Sequence, residues 1–241
     1  MMDLEKLKEI GAIVRQTLDA VKTAVRPGVS TGELDRMGGR ILEEQGAQSA
    51  PPVIYGFPGN LCISVNEEAL HGIPGRRVLK EGDLVKLDLV AEKDGYFADA
   101  AVTVEVGAVS AEASALRRCA ETAFRAALGA ARAGHRVYDI GAAVEKTVKL
   151  CGFQVLKEHS GHGVGRTIHE EPAVPNFRDT RCRARLSEGL VLTIEPIIAK
   201  GTCRSVLLPD RWTVKTADGS LSAHYEHTVV ITNGAPILLT C

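Results

Sequence analysis

Apolar residues recur at steps of three and four positions in four stretches of the chain, and this spacing predicts four amphipathic helices. The first ends before Pro27, because a proline disfavours helical backbone in the residue that precedes it. Ser30-Thr31-Gly32-Glu33 is typical of a capping box at the start of the second. The predicted helices cover residues 4–25, 30–45, 111–131 and 137–152.

The stretches between these helices predict strands. Residues 47–107 are predicted to be extended, with strands over 84–90 and 96–106 joined by a turn at Lys93-Asp94-Gly95. Further strands are predicted at 155–157, 190–194 and 225–232. Two helices followed by strands therefore occur twice along the chain.

A weak internal repeat matches this order of elements. Arg26-x-Gly28 and Gly46 recur 106 positions later as Arg132-x-Gly134 and Gly152, although so few matches also arise by chance. We favour a single α+β domain made of two pseudo-symmetric halves, at about 1–108 and 109–241. Segregated helices and strands predict a central antiparallel or mixed sheet with helices packed on one side.

Composition narrows the functional classes. The chain has 241 residues, 29 Lys and Arg, and 30 Asp and Glu, for a net charge of −1, which argues against nucleic-acid binding through bulk charge. No apolar run approaches the roughly 18–20 residues of a membrane span. Acidic residues near Met1 do not resemble a secretory signal, and the six cysteines form no C-x-x-C pair. We expect a cytoplasmic protein with reduced thiols that does not bind membranes.

Two aspartates lie in the strands that flank the predicted turn. A hairpin centred between Lys93 and Asp94 would place Asp88 directly opposite Asp99. Like charges in that arrangement destabilise a sheet, so a cation is expected between them. The alternative is a register shifted by one residue, with both aspartates in water.

Two glutamates also lie in apolar surroundings. Glu195 follows the apolar run 190–194 and precedes Pro196, and an unpaired charge there would cost several kcal/mol. Glu226 opens the last long strand. Alternation puts positions 224, 226 and 228 on one face, which could instead face solvent.

The histidines differ in context. His162 lies in a glycine-rich segment where backbone can approach a ligand closely, His169 follows it, and His71 lies in a turn-like loop. Each could be an ordinary loop residue, and His135 and His224 have no comparable context. Four carboxylates and an imidazole nevertheless make a donor set for two divalent metals, whose four positive charges match four carboxylates. A hydroxide that bridges two such metals could attack a carbonyl at neutral pH.

The chain resembles the type I methionine aminopeptidases from about residue 4 to 240. The motifs that carry the resemblance are Asn66–Pro74, Lys86-Leu87-Asp88 with Asp99, Gly161–Gly165 with His169–Pro172, Thr193–Pro196 and Tyr225–Thr228. The resemblance implies the pita-bread fold of the creatinase and aminopeptidase group. It also implies removal of the N-terminal methionine from nascent proteins by attack of a metal-bridging hydroxide on the first peptide carbonyl.

The resemblance implies a role for each site residue. Asp88 would chelate one metal, Asp99 and Glu226 would bridge both metals, and His162 and Glu195 would complete the other. Glu195 would also shuttle the proton, while His71 and His169 would contact the scissile amide and its carbonyl. The methionine pocket would be lined by Phe57, Cys62, Ile168 and Trp212, with Ile54 as a further candidate. Ile168 stands where the family often has an aromatic residue, and Ala100-Ala101 replaces a more polar stretch.

The resemblance also implies partners and cofactors. Two divalent ions per chain are expected, with Co, Mn, Fe and Zn all compatible with the donors. A monomer and a transient contact with the ribosome are in keeping with the family. Three alternatives remain at this stage, namely a prolidase or X-Pro aminopeptidase, a pita-bread domain that binds peptides without metal, and a generic α+β protein with buried ion pairs.

Overall fold

A computed structural model describes residues 3–241 of the chain. Its four long helices lie where the apolar periodicity predicts them, and Ser30 and Glu33 form the expected capping box. Asp3 caps the first helix by accepting from the backbone N–H groups of Glu5 and Lys6. The helices are α1 (Leu4–Ala24), α2 (Thr31–Glu44), α3 (Ala50–Tyr55), α4 (Ala111–Ala130) and α5 (Val137–Leu150). Within residues 3–241, no helix is both long and apolar enough to cross a membrane.

The strands are short apart from one long hairpin. They are β1 (Gln48–Ser49), β2 (Cys62–Val65), β3 (Glu68–Leu70), β4 (Leu84–Lys93), β5 (Tyr96–Glu105), β6 (Gln154–Val155), β7 (Ser160–Gly163), β8 (Glu170–Pro175), β9 (Val191–Ile194), β10 (Ile197–Ala199), β11 (Ser205–Leu207), β12 (Val214–Thr216), β13 (Ser222–His224), β14 (Glu226–Val230) and β15 (Ile237–Leu238).

A nine-stranded antiparallel sheet forms the centre of the molecule, with β1-β4-β5-β14-β9-β7-β8 as its main path. One core cluster packs α1 and α2 on β4 and β5, and another packs α4 and α5 on β9 and β14. Alternate residues of these strands point away from the helices. The long helices therefore cover one face of the sheet and leave the other free for a site. The division into halves near residue 108 stays a prediction.

The predicted register of the long hairpin is wrong. Asp88 pairs with Ala101, and Asp99 pairs with Val90. The turn is a two-residue turn at Asp94-Gly95, where both residues have positive φ (53° and 75°), a conformation that suits the twist of a tight hairpin. The two aspartates still share a face, as diagonal neighbours, and neither is fully exposed.

The prediction that residues 47–107 are extended throughout is also wrong. Ala50–Tyr55 is helical, with Pro51 and Pro52 in the first turn. Proline is tolerated there because the first backbone N–H groups of a helix have no partner within it. Gly56 ends the helix in a left-handed conformation with φ of 73°. The orientation of this short helix determines which side chain of residues 50–55 can reach a site on the free face of the sheet.

Asp35 on α2 anchors the segment that leads into β2. Its carboxylate accepts hydrogen bonds from the backbone N–H groups of Asn60 (2.6 Å) and Leu61 (2.9 Å), and from the Asn60 side chain (3.2 Å). Asp35 is 9% exposed. Its removal would leave two backbone donors without an acceptor in a poorly hydrated place, which is costly.

We expect Asp35→Ala to lower the free energy of unfolding by about 2 kcal/mol, because these donors lose their acceptor. Urea denaturation of the chelator-treated protein measures the effect. Asp19→Ala, which removes an exposed carboxylate of α1, is the matched control and should change stability by less than about 0.5 kcal/mol. Equal effects of the two substitutions would contradict the anchoring role.

Candidate metal centre

The structure brings the predicted site residues, apart from Ile54, to one cavity of about 280 Å³. The cavity lies on the face of the sheet opposite the long helices. The predicted residues that line it are Phe57, Cys62, His71, Asp88, Asp99, His162, Ile168, His169, Glu195, Trp212 and Glu226. Residues that are far apart in sequence thus converge as the motifs predict.

Five neighbouring strands each contribute one metal-donor side chain. In spatial order, β4 carries Asp88, β5 carries Asp99, β14 carries Glu226, β9 ends just before Glu195, and β7 carries His162. Adjacent strands lie roughly 4.8 Å apart. Side chains from five of them can therefore converge on a site only a few ångströms wide.

Ala101 lies between two of these donors. It pairs with Asp88 on one side and with Glu226 on the other, so the three side chains form a row on the same face. Directly opposed Cβ atoms lie about 5 Å apart. The methyl group of Ala101 leaves the space between the two carboxylates open.

Two triads of donor atoms share Glu226. Asp99, His162 and Glu226 offer atoms within 4.8 Å of one another, and so do Glu195, His224 and Glu226. His162 Nε2 lies 3.7 Å from Asp99 Oδ2 and 3.7 Å from Glu195 Oε1. Asp88 faces the same cavity. The shared glutamate joins the two donor groups into one extended site.

Burial shifts the pKa of every carboxylate in the cluster upward. Desolvation raises the pKa of Asp88 to about 7 and that of Glu195 to about 8. The pKa values of Asp99 and Glu226 are raised well above their usual range, first by desolvation and then by neighbouring carboxylates. Four carboxylates in this space are thus unfavourable as anions unless a cation accompanies them.

The donor set fits divalent metal. Asp99 Oδ1 and Glu226 Oε1 are buried and have no hydrogen-bond partner among the described residues. Buried acceptors without partners are rare unless an ion or water satisfies them. Carboxylate oxygens with one or two imidazoles suit Mn, Fe, Co and Zn. The fit therefore rests on unpaired oxygens as well as on residue types.

His162 is oriented as a ligand should be. Its Nδ1 lies 2.9 Å from the carbonyl oxygen of Gly163, so Nδ1 carries the hydrogen and Nε2 faces the carboxylates with its lone pair. Burial lowers the pKa of the ring to about 4, which keeps it neutral. Gly161 permits close strand packing, since a Cβ there would lie 2.5 Å from the Thr193 carbonyl oxygen. Gly161 thus allows the backbone beside His162 to pack closely against β9.

His169 is oriented by Tyr55, which sequence analysis did not select. The Tyr55 hydroxyl lies 2.7 Å from His169 Nδ1. The phenol can donate this hydrogen bond or accept one from Nδ1–H, and the donating arrangement is the one that directs a hydrogen of His169 toward the cavity. A neutral His169 then carries its hydrogen on Nε2. Its ring lies 4.2 Å from that of His162, centroid to centroid, beside the donor cluster.

A buried lysine supports the loop that carries His71. Lys86 Nζ donates to the carbonyl oxygens of Asn66 (2.7 Å) and Ser222 (3.4 Å). Burial lowers its pKa to about 7. Asn66 and His71 both have positive φ (58° and 53°), a conformation that few side chains adopt without support. Lys86 therefore acts on the loop rather than directly on the carboxylates.

An apolar wall adjoins the donor cluster. Phe57 and Trp212 meet edge to face with ring centroids 5.2 Å apart, and Cys62 pairs with Asp88 across two strands. Ile54 is 43% exposed and does not line the cavity. The expectation for Ile54 is wrong because α3 places Tyr55, and not Ile54, at the cavity.

Other cavity residues were missed. The lining also includes Pro51, Tyr55, Leu70, Val90, Glu158, His159, Ser160 and His224. His224 is 1% exposed. The face formed by 224, 226 and 228 is buried, which excludes the solvent-exposed alternative for Glu226. No motif marked His224, because its burial depends on strands distant in sequence.

Comparison with known proteins gives full-length matches. The sequence model of metallopeptidase family M24 matches residues 5–233. The methionine aminopeptidase of Clostridium perfringens is 42% identical over 238 residues, which cover 99% of this chain and 96% of the relative.

Solved structures agree with the predicted fold. The methionine aminopeptidase of Thermotoga maritima has a TM-score of 0.96 and 34% identity, covering 100% of this chain and 99% of that one. The Xaa-Pro dipeptidase of Bacillus anthracis has a TM-score of 0.80 and 23% identity, covering 98% of this chain and 60% of that one. The latter likeness shows the fold alone. The expected pita-bread fold is confirmed.

Metal binding should be coupled to proton release from the carboxylates. At pH 6, Asp88 and Glu195 are mostly protonated, since their pKa values are about 7 and 8, and a cation must displace these protons. We therefore expect the apparent affinity for Mn²⁺ to rise by about tenfold or more from pH 6 to pH 8. Calorimetry of the chelator-treated protein, in buffers with different ionisation enthalpies, counts the protons released.

Titration of the histidines does not account for the expected rise in Mn²⁺ affinity between pH 6 and pH 8. The pKa of His162 is about 4, so its ring is already neutral at pH 6. Proton release should therefore decline as pH approaches 8, where the carboxylates are increasingly ionised. An affinity that does not change between pH 6 and pH 8 would contradict the raised carboxylate pKa values.

Proposed function

Because this chain belongs to metallopeptidase family M24, we propose that it is a metal-dependent aminopeptidase that removes methionine from the N-terminus of peptides and nascent proteins. The observation that carries this proposal is the position of the donors beside an apolar wall. Five strands bring four carboxylates and His162 to one end of a cavity that Phe57 and Trp212 also line. A metal centre next to an apolar pocket suits hydrolysis after an apolar first residue.

The metal ligands in this proposal are Asp88, Asp99, His162, Glu195 and Glu226. Asp99 and Glu226 lie centrally, on the adjacent strands β5 and β14, so they suit shared contact with two ions. Divalent ions in this site would supply Lewis acidity, which polarises a carbonyl and makes water nucleophilic near neutral pH. Two ions per chain, drawn from Co, Mn, Fe or Zn, balance the four carboxylates.

Glu195 is proposed to handle the proton. Its Oε1 accepts a hydrogen bond from the Thr193 hydroxyl (2.9 Å), which leaves Oε2 free to exchange a proton within the cavity. Burial raises its pKa to about 8. A carboxylate with a pKa near the working pH can take a proton from the attacking water and deliver it to the leaving amine.

His169 and His71 are proposed to contact the scissile peptide. With Tyr55 on its Nδ1, His169 presents an N–H on Nε2. That N–H can stabilise negative charge on the carbonyl oxygen as the tetrahedral transition state forms. His71, at the cavity rim, is proposed to hydrogen-bond the scissile amide.

The apolar wall is proposed to recognise the methionine side chain. Phe57, Cys62 and Ile168 are nearly inaccessible to solvent, and Trp212 is half-buried. A thioether packs favourably against aromatic rings. Each methylene fitted into such a pocket contributes about 1–3 kcal/mol of discrimination.

The same proposal includes the setting of the reaction. Nascent proteins present their initiator methionine in the cytoplasm, so we place the enzyme there, in transient contact with the ribosome. A monomer suffices, because every proposed site residue comes from one chain. We also propose that the chain is a single catalytic domain.

A peptide panel tests the proposed function. The chelator-treated protein is reloaded with Mn²⁺ or Co²⁺ and assayed on tripeptides X-Ala-Ser that differ in the first residue. We expect kcat/KM for Met-Ala-Ser to exceed that for Ala-Ala-Ser by about 100-fold or more, because alanine leaves the pocket unfilled. Equal rates for the two peptides, or a preference for X-Pro dipeptides, would exclude methionine specificity.

Asp99→Asn should abolish turnover while the fold persists. An amide is a weaker metal donor, and the loss of several kcal/mol of Lewis-acid stabilisation corresponds to about 1,000-fold or more in rate. Turnover is measured by hydrolysis of Met-Ala-Ser, and metal content is measured by elemental analysis. Thermal unfolding of the chelator-treated variant should occur at or above the temperature of the parent, because the substitution preserves shape and removes one of four crowded carboxylates.

His71→Ala is the matched control for this prediction. It should lower turnover but retain the metal content of the parent, since His71 is proposed to touch substrate and not metal. If Asp99→Asn hydrolysed Met-Ala-Ser at a near-parental rate, Asp99 would not be a ligand. Loss of metal from His71→Ala would move His71 into the ligand set.

A further inference from the structure

His224 occupies a fixed position between two of the proposed ligands. On β13, His224 pairs with Ile197 of β10. Glu195 lies two residues before Ile197, and Glu226 lies two residues after His224. The Thr103 hydroxyl donates to the His224 carbonyl oxygen (2.8 Å) and accepts from the His224 backbone N–H (2.9 Å). The ring is therefore anchored by its backbone from a third strand.

The ring of His224 points at the carboxylates. Its Nε2 lies 3.4 Å from Glu226 Oε2 and 3.9 Å from Glu195 Oε2. Neither ring nitrogen has a hydrogen-bond partner among residues 3–241. A buried polar ring with both nitrogens unpaired is unusual, and it indicates that the ring acts on the groups that it faces.

The two neutral forms of this ring have different consequences. If Nδ1 carried the hydrogen, Nε2 could bind metal, but a buried N–H would then lack any acceptor in the described part of the chain. If Nε2 carries the hydrogen, it faces a carboxylate acceptor, and only a weaker acceptor nitrogen stays unpaired. An unpaired buried donor is the costlier arrangement.

His162 provides an internal comparison. The Nδ1 of His162 has the Gly163 carbonyl oxygen at 2.9 Å, which is the partner that a metal-binding imidazole normally requires. His224 lacks such a partner on Nδ1. The two rings near the donor cluster are thus built for different tasks.

We propose that His224 is a positioning residue whose Nε2–H faces the Glu226 and Glu195 carboxylates at 3.4 and 3.9 Å, and so holds both in the arrangement that binds metal. The inference rests on the proposed function, because it requires a metal site at these carboxylates. Partners of this kind fix the orientation of a ligand before the ion arrives. Their loss typically lowers metal affinity by about 10–100-fold.

The test uses two substitutions that differ in one property. His224→Gln keeps an N–H donor, and His224→Leu fills similar space without one. Mn²⁺ is titrated calorimetrically into each chelator-treated protein, and the visible spectrum of the Co²⁺-loaded protein reports the coordination of the ion. Thermal unfolding of the metal-free variants shows whether each still folds.

We expect His224→Leu to bind Mn²⁺ about tenfold or more weakly, with unchanged stoichiometry. His224→Gln should stay within about threefold of the parent. His227→Leu is the matched control, because His227 faces the other side of β14, where it contacts Thr240 and Tyr225. This control should leave Mn²⁺ affinity unchanged.

Three results would overturn the inference. Parental affinity in His224→Leu would show that the donor is dispensable. A lost equivalent of metal in both His224 variants, with a changed Co²⁺ spectrum, would make His224 a ligand. A parent protein that binds no Mn²⁺ would refute the proposed function together with the inference, whereas the first two results leave the proposed function intact.

Discussion

The cost of burying four carboxylates side by side is the constraint on which the site depends. Asp88, Asp99, Glu195 and Glu226 come from adjacent positions on one sheet, and the pKa of each is raised because burial penalises its charge. A sheet held on its other face by four long helices cannot easily relax to separate them. The fold thus keeps the anions together, and cations complete the balance of charge.

Three of the five histidines that line this cavity differ in what their ring nitrogens face. The Gly163 carbonyl oxygen holds the hydrogen of His162 away from the carboxylates, whereas the Tyr55 hydroxyl contacts Nδ1 of His169 and leaves Nε2 for the cavity. His224 Nε2 faces the Glu226 and Glu195 carboxylates. Three identical side chains within one cavity are therefore suited to different tasks, and the difference lies in hydrogen bonds that a residue list does not contain.

The long helices and most long strands could be predicted from the sequence, because apolar periodicity is a local property. The donor residues could be selected because charges within apolar strands are conspicuous. The hairpin register was also within reach of the sequence, because Asp94-Gly95 is a typical pair for a two-residue turn with positive φ at both positions, and the prediction centred the turn one residue too early. Short-range patterns also missed α3, whose two prolines fit only in its first turn.

The contacts of Tyr55 and His224 were beyond prediction for a different reason. Tyr55 meets a partner 114 residues away, and the backbone of His224 is held by a residue 121 positions away. Neither contact leaves a periodic signal in the chain. Such residues become visible only when the strands are assembled, even where the residue types that surround them are obvious.

The row formed by Asp88, Ala101 and Glu226 has a consequence for the history of this site. Ala101 contributes to the site only through its small size. A leucine or phenylalanine there would be unremarkable in most sheets, yet here it would intrude on the gap between the two carboxylates. Sequence drift at this position should therefore be restricted to small residues, although the alanine side chain contributes neither charge nor hydrogen bond.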